Sequence, residues 1–163
     1  MFIAKTHKAR VKPVKEIPAD AIRMLKSCFF AYLGTSEPGC LPHLTAMFYI
    51  WDDESESIFL ITSKGSKKIS NIRKNTKVCV TIDERNAVSP ASNRGVMIQG
   101  RAMMVEMELA HDDITLKYLE KYANFLGSGY PMGNRIAIRI EPRVLFHWQG
   151  TKFMRWKQSK HKE

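Results

Sequence analysis

The sequence predicts a mainly β protein, a closed antiparallel barrel of six or seven strands with two or three short helical inserts. Short apolar segments, several with a two-residue period, recur along the chain, and turn residues separate them in meander order. Helical periodicity is confined to brief stretches. The 163 residues are 44% hydrophobic and 26% charged, which fits one globular domain able to bury a sizeable core.

The first half of the barrel begins with a helix, because Pro18 suits a first helical turn and Ile22 and Leu25 follow helical spacing. A turn at Glu37-Pro38-Gly39 separates two strands. The second of these is apolar on both sides, so both of its faces are predicted to be covered. An acidic hairpin loop at 52–56 follows. The predicted elements are a helix over 18–28 and strands over 29–35, 41–51 and 58–62.

The second half begins with a two-turn helix and then alternates apolar and polar residues, as in Val78, Val80 and Ile82. A polar loop at 84–93 and a glycine-rich turn at 127–133 are predicted to shape the mouth of a pocket. Pro142 is predicted to separate the last two strands. The elements are helices over 66–74 and 108–126 and strands over 77–83, 95–106, 135–140 and 144–148.

The net charge of +10 is concentrated in three clusters that contain no acidic residue, over 5–15, 64–77 and 152–162. The predicted organisation is a basic N-terminal arm over 1–17, a single domain over 18–157 and a basic tail over 158–163. Basic tails suit nucleic acid or acidic partners, but only Phe153 and Trp156 lie among the tail charges, too few for a base-stacking platform. Nucleic acid is therefore not the expected partner.

The sequence also argues against a membrane or secreted protein. The longest apolar run, Leu44–Trp51, is far shorter than the ~20 residues of a membrane-spanning helix, and no apolar signal region is present at the N-terminus. Cys28, Cys40 and Cys79 are odd in number and widely spaced, so they are expected to be reduced, inert packing residues in a cytoplasmic protein.

The sequence contains no G-x-S-x-G, H-E-x-x-H, Walker-loop or G-x-G-x-x-G motif. The five histidines are scattered. His43 and His147 lie in predicted strands and would meet only through the fold, so structural roles are favoured over metal binding. The carboxylates at 52–56 suit a solvated turn. We expect no catalytic side chain and no metal ligand.

The segment 61–68, Ile-Thr-Ser-Lys-Gly-Ser-Lys-Lys, indicates an anion site. A strand ends in two hydroxyls, a glycine permits a turn, and Ser66 is placed to cap the next helix. Lys67 and Lys68 then lie at the positive end of the helix dipole, where cations are unfavourable unless an anion is present. A phosphate monoester fits this arrangement; a solvated basic helix face is the alternative.

Five segments in order resemble the pyridoxamine 5′-phosphate oxidase-like, FMN-binding split-barrel family. They are Phe30-Ala31-Tyr32-Leu33-Gly34-Thr35, Pro42-His43-Leu44-Thr45-Ala46-Met47-Phe48-Tyr49, residues 58–75, Gly95-Val96-Met97-Ile98-Gln99-Gly100-Arg101-Ala102 and Phe146-His147-Trp148-Gln149-Gly150. The resemblance covers about residues 20–156 and implies an antiparallel split barrel that forms a homodimer.

The resemblance also implies FMN and its contacts. One segment would run beside the ring, a second would hold the phosphate and ribityl chain, and two C-terminal residues would close the site from the second subunit. The implied residues are Thr45, Ala46, Met47, Phe48, Ile61, Thr62, Ser63, Ser66, Lys67, Lys68, Trp148 and Arg155. Plain barrel core is the alternative for Thr45–Tyr49 and Trp148.

Two departures from the family pattern bear on activity. Gly95 stands where the authentic oxidases carry a glutamine, and in the stretch 151–156 only Arg155 offers a group comparable to those that grip the substrate phosphate. Oxidation of pyridoxamine phosphate is therefore not expected. The expected function is an FMN-dependent oxidoreductase acting on an unidentified small molecule, since a flavin carries hydride chemistry itself. A deazaflavin- or haem-binding member of the family, and a non-enzymatic binding module with basic tails, are the alternatives.

Overall fold

A computed structural model describes residues 10–107, 112–126 and 134–159. The helices are α1 (Ala19–Ser27), α2 (Lys67–Lys74), α3 (Asp112–Lys121) and α4 (Ala123–Leu126). The strands are β1 (Val11–Val14), β2 (Phe30–Ser36), β3 (Pro42–Phe48), β4 (Ile50–Asp52), β5 (Ser57–Ser63), β6 (Lys77–Glu84), β7 (Arg94–Glu106), β8 (Arg135–Gln149) and β9 (Lys152–Lys157). The predicted turn at 127–133 and the first residues of the predicted helix, 108–111, lie outside the described residues, as do 1–9 and 160–163.

The strands form one mixed sheet in the order β1-β9-β8-β7-β6-β2-β3, with β5 paired to β8 and β4 paired to β5. This confirms the predicted mainly β class and split-barrel architecture. Several details differ from the sequence prediction: the described residues form nine strands rather than six or seven and four α-helices rather than two or three. The hydrogen-bonded sheet is not closed, and β1 runs parallel to β9.

The long strand β8 organises the sheet. Along one edge it pairs with β7. Along the other edge residues 135–140 pair with β5, and residues 144–149 pair with β9. The prediction of two strands interrupted by Pro142 is wrong, because β8 continues through Pro142 as one strand with a β-bulge. Gln99 pairs with Val144 and Gly100 pairs with Pro142, which leaves Arg143 as the extra residue.

The barrel opens at Tyr49, where the predicted strand 41–51 is two strands. β3 pairs with β2, whereas β4 pairs with β5, so the backbone of Tyr49 leaves the ladder. The hydroxyl of Tyr122, between α3 and α4, replaces the missing strand. It accepts a hydrogen bond from the Tyr49 amide (2.8 Å) and donates to the Tyr49 carbonyl (2.6 Å). Both buried backbone groups are thereby satisfied.

Two apolar clusters hold the fold together. The larger one fills the barrel with inward residues of the strands, such as Leu33, Val80 and Ile98, and α1 covers it with Met24 and Leu25. The smaller one attaches α3 to the outside of β4 and β5 and includes Ile114 and Tyr118. Each fully buried Leu or Ile contributes about 1.5–3 kcal/mol. No described helix is long and apolar enough to cross a membrane.

Both ends of the described chain belong to the sheet. Val11–Val14, within the predicted basic arm over 1–17, pairs with Phe153–Trp156 as β1. The basic cluster over 152–162 contributes β9, which lies between β1 and β8. Lys12 and Pro13 concealed β1, and both residue types are common on edge strands, where they prevent further pairing.

The acidic loop at 52–56 is only partly solvated. Asp52 is buried, and its carboxylate accepts hydrogen bonds from the Ser55 amide (2.9 Å) and from Lys117 of α3 (3.1 Å). Burial by itself raises the pKa of Asp52, but these hydrogen bonds outweigh it and hold the pKa below its ordinary value. Asp52 therefore anchors α3, and the prediction of a wholly solvated turn is wrong at this residue.

Tyr122→Phe tests whether the Tyr122 hydroxyl stabilises the opening between β3 and β4 at Tyr49. The substitution leaves the buried Tyr49 amide without a partner, whereas the Tyr49 carbonyl keeps the hydrogen bond from Lys121 Nζ at 3.3 Å. A buried unpaired group costs about 1–3 kcal/mol, so we expect the free energy of unfolding, measured by urea denaturation, to fall by about that amount. The half-exposed Tyr32 provides the matched control, and Tyr32→Phe is expected to change stability by less than about 0.5 kcal/mol. Equal effects of the two substitutions would contradict this account of the split.

Candidate functional site

The segments predicted to face the ring and the phosphate lie side by side. Ile50 of β4 opposes Phe59 of β5, and this register, continued past Tyr49, brings Phe48 level with Ile61. β3 and β5 contact each other along this line. Thus Thr45–Phe48 and Ile61–Ser63 border the opening of the split barrel.

The side chains of these segments point in two directions. Met47 faces the barrel core and is buried, whereas Ala46 and Phe48 lie on the outer face of β3. Phe48 stacks on the ring of Tyr122, with centroids 4.3 Å apart. Thr45 Oγ1 lies 3.4 Å from His43 Nδ1. The plain-core alternative therefore holds for Met47, while Ala46 and Phe48 lie on the outer face beside the opening.

The N-terminus of α2 lies where β5 ends. Ser66 occupies the N-cap position, as predicted, but its side chain makes no capping hydrogen bond. Its Oγ is buried and has no partner. Asn71, one turn into α2, donates to Thr35 of β2 at 3.0 Å and holds the helix across the end of the barrel. A buried hydroxyl without a partner costs about 1–3 kcal/mol, so this position is suited to a ligand oxygen.

The two predicted phosphate lysines differ in their surroundings. Lys68 Nζ donates to Thr62 Oγ1 at 3.1 Å, and burial lowers the pKa of Lys68 from its ordinary value. Lys67 points away and pairs with Glu37 at 2.8 Å. Only Lys68 is therefore joined to the hydroxyls of the strand end. Glu37, in the turn after β2, is a charged residue of this region that the sequence did not identify, because its contact with α2 is purely tertiary.

Trp148 lies on β8 directly opposite Gly95 of β7. A Cβ atom at position 95 would overlap the six-membered ring of the Trp148 indole. The indole thus occupies the space that a side chain at position 95 would take. A glutamine, which the authentic oxidases carry at this position, would not fit beside the indole of Trp148.

Within one chain the predicted site residues fall into two groups. Ser63 pairs with Arg135 at the beginning of β8, whereas Trp148 lies near the end of β8. The exposed Arg155 lies on β9 opposite Phe146. At ~3.3 Å per residue these two ends of β8 are far apart. The chain brings together the ring and phosphate segments but not Trp148 and Arg155.

The outer face of the sheet carries exposed apolar side chains. The exposed fractions are 52% for Phe30, 48% for Tyr32 and 67% for Leu44. The prediction that both faces of the strand over 41–51 are covered is therefore wrong within a single chain. The row that begins at Ala46 and Tyr32 continues through the register of the sheet to Phe146 and Arg155.

The two histidines among the described residues, His43 and His147, are not neighbours. His43 and His147 are on β3 and β8, which the strands β2, β6 and β7 separate. His147 is buried, its Nδ1 lies 3.1 Å from the Gly95 carbonyl, and burial lowers its pKa. No group of three potential metal ligands occurs in the described parts of the chain. All three cysteines are free thiols, although Cys40 is exposed rather than packed, in contrast to the prediction.

Comparison with known families agrees with this architecture. A family model described as pyridoxamine 5′-phosphate oxidase matches residues 18–149. The chain belongs to the pyridoxamine 5′-phosphate oxidase-like split-barrel family. No curated protein matched the chain.

Solved structures extend this family assignment. A conserved hypothetical protein from Mycobacterium tuberculosis, Rv2991, has a TM-score of 0.73 and 27% identity over 88% of this chain and 90% of that chain. A protein named F420 reductase has a TM-score of 0.64 and 20% identity over 79% of this chain and 98% of that chain. A FAD-binding protein from Mesorhizobium loti has a TM-score of 0.62 and 19% identity over 79% and 92%. The last two show a shared fold.

Gly95→Ala tests the packing of Trp148. The new methyl group would displace the indole, and overpacking of this kind costs about 1–3 kcal/mol in the free energy of unfolding. In a Trp148→Ala background the same substitution should cost less than about 0.5 kcal/mol, because the indole is absent. Denaturation of the four proteins in this double-mutant cycle gives the coupling energy directly. Additive effects would show that Trp148 does not fill this space.

Proposed function

We propose that the chain is a flavoprotein that binds FMN at the opening of the split barrel and acts as an oxidoreductase on a small molecule. The observation that carries the proposal is the buried, unpartnered Ser66 Oγ at the N-terminus of α2. Family membership and flavin-related names among the structural neighbours support it. A reducing, cytoplasmic setting is part of the proposal, in keeping with the free cysteines.

The residues at the α2 N-terminus fit a phosphate group. Free backbone amides and the positive end of the helix dipole attract anions. Ser66 Oγ offers an unused hydroxyl, and Lys68 supplies a cation already joined to Thr62. Lys67 would contribute only by leaving Glu37, and this exposed pair is weak enough to exchange.

The chain would position the flavin rather than react with the substrate. When bound, FMN supplies two-electron hydride chemistry, so no acid, base or nucleophile of the protein is required. The backbone of Thr45–Phe48 would orient the ring, Thr62 and Ser63 would hold the ribityl chain near the phosphate, and Trp148 would exclude water from the site. Pyridoxamine phosphate is not the proposed substrate, because in the stretch 151–156 only Arg155 offers a group comparable to those that grip the substrate phosphate.

A homodimer is part of the proposal. Trp148 and Arg155 lie at the far end of β8 from Ser63, so a second copy would bring them to the flavin. The exposed Phe30, Tyr32 and Leu44 form the outer face that such a partner would cover. This arrangement explains why residues that face solvent in one chain are apolar.

A deazaflavin coenzyme is the second candidate, favoured by one contact. Because Glu37 neutralises Lys67, the α2 N-terminus has less net positive charge than the sequence suggests. A singly charged phosphodiester would fit this site as well as the doubly charged monoester of FMN. Mass spectrometry of the ligand released from purified protein distinguishes the two. Release of neither a flavin nor a deazaflavin, together with no binding on addition of either, would overturn the proposed function.

The structure predicts unequal roles for the two lysines. Lys68→Met removes a charge-assisted contact worth about 1.5–3 kcal/mol, so FMN should bind about 10- to 100-fold more weakly. Lys67→Met should change FMN affinity by less than about fivefold, since Lys67 is paired with Glu37. Riboflavin, which lacks the phosphate, should bind all variants alike. Fluorescence titration measures each dissociation constant.

Lys74→Met is the matched control, because Lys74 is an exposed lysine in the last turn of the same helix. Its FMN affinity should equal that of the unmodified protein. If Lys68→Met weakened riboflavin and FMN equally, Lys68 would support the fold rather than the phosphate.

Leu44→Glu tests the assembly. Burying a carboxylate in an apolar interface is costly, so the substitution should convert a dimer of about twice 18.7 kDa into a monomer, as measured by light scattering. FMN affinity should fall at least tenfold in parallel, because the partner's Trp148 and Arg155 would be lost. Val88→Glu is the control, since Val88 is almost fully exposed on the loop between β6 and β7. A monomeric unmodified protein with undiminished FMN affinity would refute the proposed assembly.

A further inference from the structure

A cleft of about 600 Å³ lies on the outer face of the sheet, where β2, β6, β7 and β8 run side by side. Its floor follows one row of the sheet, because Gly34 pairs with Cys79, Cys79 with Gln99, and Gln99 with Val144. Gly34 contributes no side chain, which deepens the floor at this point. The volume is in the range of small-molecule sites.

Three cations surround this floor. Lys77 and Arg101 are directly opposite each other on β6 and β7. Like charges in this position destabilise a strand pair unless an anion lies between them. Neither residue takes part in an ion pair with any described residue. Two other cations of these strands differ in this respect, since Arg94 is paired with Glu84 and Arg143 with Glu141.

The third cation, Arg143, is directed to the cleft by the β-bulge. The bulge inserts Arg143 between Pro142 and Val144, opposite Gly100. A Cβ atom at Gly100 would overlap the Glu141 carbonyl oxygen, so glycine is needed for this close approach. Arg143 pairs with Glu141 at 2.8 Å, which leaves Lys77 and Arg101 as the cations available to a ligand. Bulges of this kind often re-aim side chains near binding sites.

We propose that this cleft binds a small organic anion, with its carboxylate or phosphate between Lys77 and Arg101 and its apolar body on Cys79 and Val144. None of the residues proposed to hold the flavin lines the cleft. The site therefore does not depend on the proposed function. In the proposed dimer the second copy would lie near the open side of the cleft, so the test uses the full chain in its native assembly.

The probe is 1-naphthyl phosphate, titrated by calorimetry into protein saturated with FMN. Naphthoate replaces the phosphate with a carboxylate, and 1-naphthol removes the charge. We expect saturable binding of one or both anions and at least tenfold weaker binding of naphthol. The double variant Lys77→Gln/Arg101→Gln should weaken the anions at least tenfold. Arg73→Gln/Lys74→Gln, which removes the same charge from exposed positions of α2, should leave binding unchanged.

The cysteines locate the bound probe. Cys40 and Cys79 line the cleft, whereas Cys28 is buried elsewhere and serves as the internal reference. Bound 1-naphthyl phosphate should slow alkylation of Cys40 or Cys79 by iodoacetamide at least threefold relative to Cys28, measured by peptide mass spectrometry. The proposal would be overturned if the probe did not bind, if both double variants weakened binding equally, or if neither Cys40 nor Cys79 were protected.

Two further outcomes separate this proposal from the proposed function. If FMN displaced the probe, the cleft would be part of the flavin site and its independence would be refuted. If the protein bound no flavin, the same titrations on the unloaded protein would still decide the anion site. A positive result there would support the cleft while the flavin proposal failed.

Discussion

The hydroxyl of Tyr122 determines how the rest of this structure is arranged. It hydrogen-bonds both backbone groups of Tyr49 at the point where the strand run 42–52 leaves the ladder. With these groups satisfied, β3 can pair with β2 while β4 pairs with β5. Burial raises the pKa of Tyr122 to about 12, so the hydroxyl remains a donor at any physiological pH. This contact, with a further hydrogen bond from Lys121 Nζ to the Tyr49 carbonyl at 3.3 Å, stabilises the backbone where the barrel opens beside the candidate site.

The second constraint is the length of β8, which pairs with β5 near its beginning and with β9 near its end. This strand separates the phosphate segment from Trp148 and Arg155 by most of the sheet. In the proposed homodimer, a site that uses both groups would draw on two copies of the chain, and the apolar outer face around Leu44 would be covered. The same face carries the cleft proposed to bind an anion, which is lined by different residues.

The charge of the protein acts locally. The net charge of +10 suggested basic tails, yet residues 11–14 form the edge strand β1, in which a lysine and a proline limit further pairing, and residues 152–157 form β9 between β1 and β8. Inside the domain, Lys67 is balanced by Glu37, whereas Lys77 and Arg101 are not balanced by any described carboxylate. The distribution of partners, rather than the number of cations, indicates where anions would bind.

The sequence alone determined the mainly β class, most of the strands and helices, and the family, and it predicted an anion site at 61–68, because alternation, caps and turn residues are local properties. Only the tertiary structure decided which lysine faces the site, why Gly95 is a glycine and where the barrel opens. Lys67 and Glu37, Gly95 and Trp148, and Tyr49 and Tyr122 are each about 30 or more residues apart. Their contacts depend on strand register, which no single segment of sequence specifies.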